Sequence, residues 1–347
     1  MKIKLKVKYL VLVILLFIFC TNIYLNVTRY RISAPMEDIE YKKAIIKSSG
    51  NPFYKLENLR PLMGEKELTW YIKTNTNNEA IYTPSKENIY SGIFQMNLHI
   101  HSTNSDGQAT VKQLLDRAQY YAQNFIKDGY LIIGITDHNT VSGSKEIIEI
   151  LQKYPNKYRN IKIVTGMEIN SVYKTKYSPL TPVQIHLLAF CINPYDKFLN
   201  KEFYKKNKSD KYNRKEQDPS FNDTVKNMSQ YSIVGVAHPA RYLTNIKESD
   251  RPAYLNEMFD DYKKQTSKVP FTEAYYQSYS SHEIKTFEGV KQLTREEYAK
   301  IPIEERDKLL YGERFNQFRE NIKKIADNKG IMKTGSTDSH SYSIFKR

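Results

Sequence analysis

After Ser91, short apolar runs typical of strands alternate with longer runs that have helical periodicity. The predicted strands are FQMNLHIH, YLIIGITDHN, IKIVTGMEIN, IHLLAFCI, SIVGVAHPAR, VPFTEAYYQ and IMKTGSTDSH. The predicted helices are TVKQLLDRAQYYAQNFIKDG, SGSKEIIEILQKY with a serine N-cap, SFNDTVKNMSQY and RFNQFRENIKKIADNKG. Because this alternation favours parallel strands with both faces covered, it predicts an α/β barrel or a doubly wound sheet.

Histidines and acids lie where such a fold places its functional site. His99 and His101 are two residues apart on the first predicted strand, so their side chains share one face of it. Other histidines on strands or at strand ends are His138, His186, His238 and His340, and the acids near them are Asp106, Asp137, Glu168 and Asp338. Strand ends converge on the active site in parallel α/β folds, and imidazole with carboxylate suits Zn, Mn or Fe. The sequence therefore predicts a shared metal site.

Six motifs occur in a fixed order: NLHIHSTNSDG, ITDHNTVSG, TGMEI, IHLLAF, VAHPAR and GSTDSH. Together, over residues 93–345, they resemble the successive motifs of the PHP (polymerase and histidinol phosphatase) superfamily of metal-dependent phosphoesterases. The resemblance implies a distorted TIM-like (β/α)7 barrel with metal ions at the carboxyl ends of the strands. One departure is Asn97, which stands where many relatives have Asp, and it bears on the surroundings of the metal ligands more than on metal binding.

The resemblance also implies a ligand set for about two to three divalent ions of Mn, Fe or Zn. His99, His101, Glu168 and Asp338 would hold the first ion. Glu168 would bridge to a second ion, which His186 and His238 also bind. Asp106, His138 and His340 would hold the third ion. The implied activity is hydrolysis of a phosphomonoester or a small phosphodiester.

Two further residues are predicted to take part in catalysis. Arg241, three residues after His238, is expected to bind a phosphate oxygen, with a salt bridge at the barrel rim as the alternative. Asp137 is expected to orient the surroundings of His138 or to transfer a proton, with capping of the following turn as the alternative.

Other functions remain open at this point. One is a PHP-type phosphatase that acts on protein phosphotyrosine, and another is a catalytically silent module that binds a ligand on the same scaffold. The loops around residues 172–182, 195–230 and 242–285 are expected to shape the substrate pocket.

The N-terminal part predicts a membrane anchor. Residues 1–8 form a basic tip with four lysines, and residues 9–26 form an apolar run long enough to cross a bilayer. Residues 27–90 are predicted to be a stalk or small appendage, with a short strand at LTWYIKT, and residues 91–347 the PHP domain. A single-pass protein of the cell membrane with an extracytoplasmic catalytic domain is expected. A protein secreted after signal cleavage is the alternative.

The charge limits the partners without choosing one. The chain has 53 Lys and Arg against 38 Asp and Glu, a formal net charge of +15 that favours anionic partners. A phosphorylated small molecule is a more plausible partner than a protein, and the basic run at residues 197–215 reads as a solvated insertion more than as a nucleic-acid site. With only Cys20 and Cys191, the chain has no internal disulfide framework.

Overall fold

The computed structural model describes residues 36–51, 54–78, 81–82, 94–199, 218–239, 246–276 and 320–340. The predicted membrane span, Arg241 and most of the basic run at residues 197–215 lie outside these ranges. Within them, no helix combines the length and the apolar character that crossing a bilayer requires.

Seven strands form one sheet in which neighbours in space are neighbours in sequence. They are β1 (Met96–Ile100), β2 (Leu131–Ile135), β3 (Ile161–Tyr173), β4 (Val183–Phe190), β5 (Ile233–Val236), β6 (Phe271–Tyr276) and β7 (Met332–Ser336). The chain just after β7 lies beside β1 and hydrogen-bonds to it. The N–H of His101 donates to the Ser339 carbonyl at 2.9 Å, and the N–H of Ser339 donates to the His99 carbonyl at 3.3 Å. The sheet is therefore a nearly closed α/β barrel.

Strand β4 runs against its two neighbours. The pairs β1–β2, β2–β3, β5–β6 and β6–β7 are parallel, whereas β3–β4 and β4–β5 are antiparallel. The expectation of parallel pairing is thus wrong for β4, since only residues 174–182 join β3 to β4 and so short a link permits only antiparallel pairing. The reversal brings the start of β4 to the carboxyl ends of the other strands, where His186 pairs with Asn170.

The helices cover the outside of the barrel and the end that lies opposite the carboxyl ends of its parallel strands. They are α1 (Met36–Ser48), α2 (Glu65–Asn75), α3 (Val111–Phe125), α4 (Ser142–Lys153), α5 (Lys197–Leu199), α6 (Phe221–Met228), α7 (Arg251–Gln265) and α8, described over 320–329, with 3-10 turns at Leu56–Leu59 and Glu248–Asp250. A capping box of Thr110 and Gln113 begins α3, which satisfies backbone N–H groups of its first turn.

Three local predictions are wrong. The run LTWYIKT lies in helix α2, not in a strand, because Leu68 and Ile72 are four residues apart and share the buried face of that helix. Helix α4 already includes Ser142, and its N-cap residue is Val141, which makes no side-chain cap. Helix α7 forms within the range predicted as a loop, with Pro252 in its first turn.

The N-terminal segment closes one end of the barrel. The barrel interior holds apolar residues from all seven strands, and the segment adds five side chains to this cluster: Met63, Leu68, Ile72, Ile81 and Tyr82. Its backbone bonds to residues near strand starts: Met63 N–H donates to the Ile163 carbonyl at 2.8 Å and Gln95 N–H to the Ile81 carbonyl at 2.9 Å. This N-terminal segment, described at residues 61–78 and 81–82, therefore fills the end of the barrel that lies opposite the carboxyl ends of the parallel strands.

Candidate metal centre

Glu168 lies at the centre of a buried group of imidazoles at the carboxyl ends of the parallel strands. Its carboxylate belongs to β3 and is completely buried. Oε1 lies 2.7 Å from Nδ1 of His186 and 2.9 Å from Nε2 of His238. Oε2 lies 3.0 Å from Nε2 of His99, 3.1 Å from Nδ1 of His138 and 3.2 Å from Nε2 of His101. One carboxylate thus faces imidazoles from two sides, as a carboxylate that bridges two cations does.

Three overlapping groups of side chains have ligand atoms that all lie within 4.8 Å of one another. They are His99, His101, Glu168 and Asp338; His138, Glu168 and His186; and His101, Asp106, His138 and His340. The first group is the set expected for the first ion. The expected third set appears together with His101, and in the remaining group His138 stands where His238 was expected. The fold therefore brings all nine predicted ligands together, and their binding of metal stays a prediction.

The residues fit divalent cations. Among the residues that the structure describes, Oε2 of Glu168 has no hydrogen-bond partner of acceptable geometry, although it is buried and three imidazole nitrogens lie near it. A buried carboxylate oxygen is normally satisfied. This oxygen and the imidazole nitrogens around it converge on one point, which suits the ligands of a common ion, and the mixed N and O set suits Zn, Mn or Fe.

The carboxylates also set the protonation of the two histidines on β1. Burial by itself lowers the pKa of both imidazoles, but nearby acids outweigh it. Glu168, Glu273 and Asp338 raise the pKa of His99 well above its ordinary value. The hydrogen bond with Asp338 and the nearby carboxylate of Glu168 raise the pKa of His101 to about 10. The carboxylates thus favour the protonated form of these imidazoles, and a metal ion that binds them competes with the proton.

The opposite effect applies to Glu168. Burial would raise the pKa of this carboxyl, but the surrounding imidazoles hold the pKa well below its usual value. The group is therefore ionised in the metal-free protein and needs no deprotonation before it can bind a cation.

The site opens to solvent beside His340. The side chain of His340 is 33% exposed, whereas those of Asp106 and His138 are 10% and 11% exposed. Nε2 of His340 lies 3.1 Å from Oδ2 of Asp106, and Nδ1 of His101 lies 3.4 Å from Oδ1 of Asp106. Burial lowers the pKa of His138 to about 3, so this imidazole is neutral and able to act as a ligand. His340 is therefore the most exposed of these three predicted ligands.

Asp137 fixes the turn that carries Asp106. It is buried, and its Oδ1 accepts hydrogen bonds from the Ser102 N–H and the Ser105 hydroxyl, both at 2.7 Å, while Oδ2 accepts from the Ser102 hydroxyl at 2.7 Å. In the same turn a Cβ on Gly107 would lie 2.2 Å from the His101 carbonyl oxygen, so only glycine allows this close approach. These contacts support a positioning role for Asp137, which holds the turn after the neighbouring strand β1. A part in proton transfer stays a prediction.

Two buried polar residues near the cluster carry contacts that the sequence did not reveal. Asn97 donates from Nδ2 to the Thr337 hydroxyl at 2.7 Å, which ties β1 to the chain just beyond β7. Glu273 on β6 contacts His99 Nδ1 at 3.1 Å and accepts from the His238 N–H at 2.9 Å. The only sequence signal for Glu273 was a single acid within the predicted strand VPFTEAYYQ. Arg241 lies outside the described residues, so its predicted contact with phosphate stays a prediction.

Comparison with known proteins agrees with this arrangement. A model of the PHP domain matches residues 97–329, which is more than half of the chain. No curated protein matches the chain. A crystal structure from Bifidobacterium adolescentis, provisionally described as a metal-dependent phosphoesterase, is similar at 15% identity over 72% of this chain and 88% of the other, with a TM-score of 0.42. This structural likeness is too weak to carry an argument, so the assignment rests on the domain match. The chain belongs to the PHP domain family.

Proposed function

We propose that the protein is a metal-dependent phosphoesterase that hydrolyses a phosphomonoester or a small phosphodiester. The observation that carries the proposal is the position of the buried carboxylate of Glu168, whose two oxygens face different imidazoles of one cluster. A single group shared in this way is what a site for adjacent cations needs. The same cluster has one partly exposed side, beside His340, where a substrate can enter.

Different residues of the cluster have different proposed roles. Glu168 and Asp338 supply the negative charge that compensates bound cations, and the imidazoles around them supply neutral ligands once their protons are displaced. When bound, divalent ions lower the pKa of water and neutralise charge on a phosphoryl oxygen. Asp106 and His340 lie at the open side and so face the incoming phosphate group. Arg241 is proposed to bind a phosphate oxygen and so to orient the ester.

The proposed setting is the cell membrane, with the catalytic domain on the extracytoplasmic side. The four lysines of residues 1–8 and the apolar run at 9–26 support this proposal through the preference of basic flanks for the cytoplasm. The proposed substrate is a phosphorylated small molecule, since a formal net charge of +15 favours an anionic partner.

An activity screen tests the proposal. The full chain, reconstituted in turn with Mn, Fe and Zn, would be assayed with phosphomonoesters, small phosphodiesters and phosphotyrosine peptides. Turnover of a mono- or diester that a chelator abolishes and added metal restores would support the proposal. Turnover of the peptides alone would favour the protein phosphatase, and a folded, metal-loaded chain inactive on every substrate would favour a silent binding module.

Asp106→Asn should weaken only the cation nearest the open side. Asp106 contacts His101, His138 and His340 but lies in neither of the two groups that contain Glu168. We therefore expect the variant to keep about two ions per chain and part of its activity, because the ions that share Glu168 would remain. Elemental analysis and the ester assay check this. Loss of every ion, or no change in metal content, would contradict the assignment of Asp106 to a separate cation.

A further inference from the structure

Glu273 is a buried acid that contacts the metal cluster without joining any of its ligand groups. It lies on β6, is 2% exposed, and its carboxylate reaches three other parts of the barrel. Oε1 and Oε2 lie 3.1 and 3.3 Å from Nδ1 of His99 on β1. Oε2 also accepts the backbone N–H of His238 at 2.9 Å, and Oε1 accepts from the hydroxyl of Ser336 on β7. One side chain therefore joins the ends of β1, β5, β6 and β7.

The contact with His99 leaves one nitrogen of that imidazole for a metal ion. When Nδ1 donates to Glu273, Nε2 faces the cluster, where it lies 3.0 Å from Glu168 and 3.3 Å from Asp338. A carboxylate that accepts from the outer nitrogen of a ligating histidine fixes the tautomer and the ring orientation and makes the ligand more basic. Glu273 is placed to do this for His99.

The contact with His238 supports an uncommon backbone conformation. His238 has a φ of 26°, in the left-handed region that costs free energy for a residue with a Cβ, and it lies two residues after the end of β5. Its N–H has left the strand pairing and donates to Glu273 instead. This conformation carries the imidazole to Oε1 of Glu168. The same carboxylate thus sets the position of two predicted ligands.

The sheet itself is irregular at this point. The register between β6 and β7 shifts between Glu273 and Tyr275. Such irregularities turn a side chain away from the regular alternation and are common beside functional sites.

We propose that Glu273 is a positioning residue of the metal centre, which holds the His99 imidazole and the His238 backbone so that both histidines present their Nε2 atoms to cations beside Glu168. The inference rests on the proposed metal-dependent function and adds to it a residue that binds no metal itself. Glu273 would act only through the ligands that it orients, and its loss would change metal affinity and ligand geometry before it changed the fold.

Cobalt titration of the full chain tests this without an activity assay. Visible absorption of bound Co²⁺ reports the ligands and their geometry, and competition with a chelator gives the affinity. The chains compared would be wild type, Glu273→Ala, Glu273→Gln and the control Glu257→Ala. Glu257 is a partly buried acid that bonds to Thr175 at 2.9 Å and is no part of any ligand group.

We expect Glu273→Ala to bind Co²⁺ about 10- to 100-fold more weakly than wild type, with an altered absorption spectrum, which is the usual effect of losing an outer partner of a ligand. Glu273→Gln keeps one acceptor oxygen and the size of the side chain, so it should restore part of the affinity. Glu257→Ala should match wild type.

Wild-type affinity and spectrum in both Glu273 variants would overturn the proposal, even if their melting temperatures fell, since a purely structural role predicts that result. If Glu273→Ala does not fold, Glu273→Gln alone is the test, and a wild-type Co²⁺ affinity and spectrum in that variant would overturn the proposal. A folded wild-type chain that takes up no Co²⁺ would overturn the proposed function and this inference together, whereas normal uptake by wild type and by both variants would overturn the inference alone.

Discussion

Glu168→Gln should abolish phosphoester hydrolysis and remove more than one metal ion. The substitution replaces one carboxylate oxygen with an amide NH₂ group, which cannot bind a cation, and it removes the negative charge that both sides of the cluster share. Loss of a residue that only hydrogen-bonds to a metal ligand already lowers activity about 10- to 100-fold. Loss of the bridging carboxylate itself should therefore lower activity more than about 100-fold. Parallel elemental analysis and ester assays on the variant and wild type measure both effects.

The matched control is Glu257→Gln, which makes the same chemical change in an acid outside the cluster. Its side chain bonds to Thr175 and lies near Lys176, so its metal content and activity should equal those of wild type. Full activity in Glu168→Gln would show that this carboxylate does not hold the catalytic ions. Loss of a single ion, with the others retained, would show that Glu168 does not bridge.

Removal of residues 1–93 should unfold the barrel. The truncated chain would lose the five side chains that the N-terminal segment adds to the barrel interior and would expose the interior residues that they cover. At roughly 1.5–3 kcal/mol for each fully buried side chain, the loss is about 8–15 kcal/mol. That equals the whole stability of a typical domain, about 5–15 kcal/mol. A chain that begins at residue 91, the predicted domain boundary, would lack the same residues.

Circular dichroism and thermal melting check the truncation, with a chain that begins at residue 36 as its control. That chain keeps both N-terminal helices and should melt cooperatively. A matched pair of point variants on α2 tests the same idea: Leu68→Ala removes a buried side chain and should cost about 2–5 kcal/mol. Trp70→Ala changes a side chain that is 65% exposed, and it should cost less than about 0.5 kcal/mol. A stable, cooperative chain beginning at residue 94 would contradict the role given to residues 61–82.

Strand and helix periodicity predicted most of the fold, because the strands are apolar and, except between β3 and β4, are separated by helices with a clear buried face. The direction of β4 was not predictable from its own residues, since an apolar strand looks the same whichever way it runs. The length of the preceding connection, residues 174–182, held that information. In α2, the aromatic and β-branched residues of LTWYIKT favoured a strand locally, and packing of Leu68 and Ile72 against the barrel decided for a helix.

Sequence motifs identified the cluster well because its side chains lie at strand ends, where the fold gathers them. They were less informative about which partners each side chain has. The motif ITDH predicted a role for Asp137 but did not reveal that its carboxylate accepts hydrogen bonds from Ser102 and Ser105. Glu273 belongs to none of the six motifs, and its role depends on contacts across the barrel that no local pattern reports.

Metal analysis of the purified full chain tests the metal centre most directly. After reconstitution with Mn, Fe or Zn and removal of loosely bound ions, elemental analysis should find about two to three ions per folded chain, in keeping with the three overlapping ligand groups. Circular dichroism on the same sample shows that the chain is folded. A folded chain that holds no metal after reconstitution would contradict the assignment of the cluster as a metal centre, and with it the proposed hydrolysis.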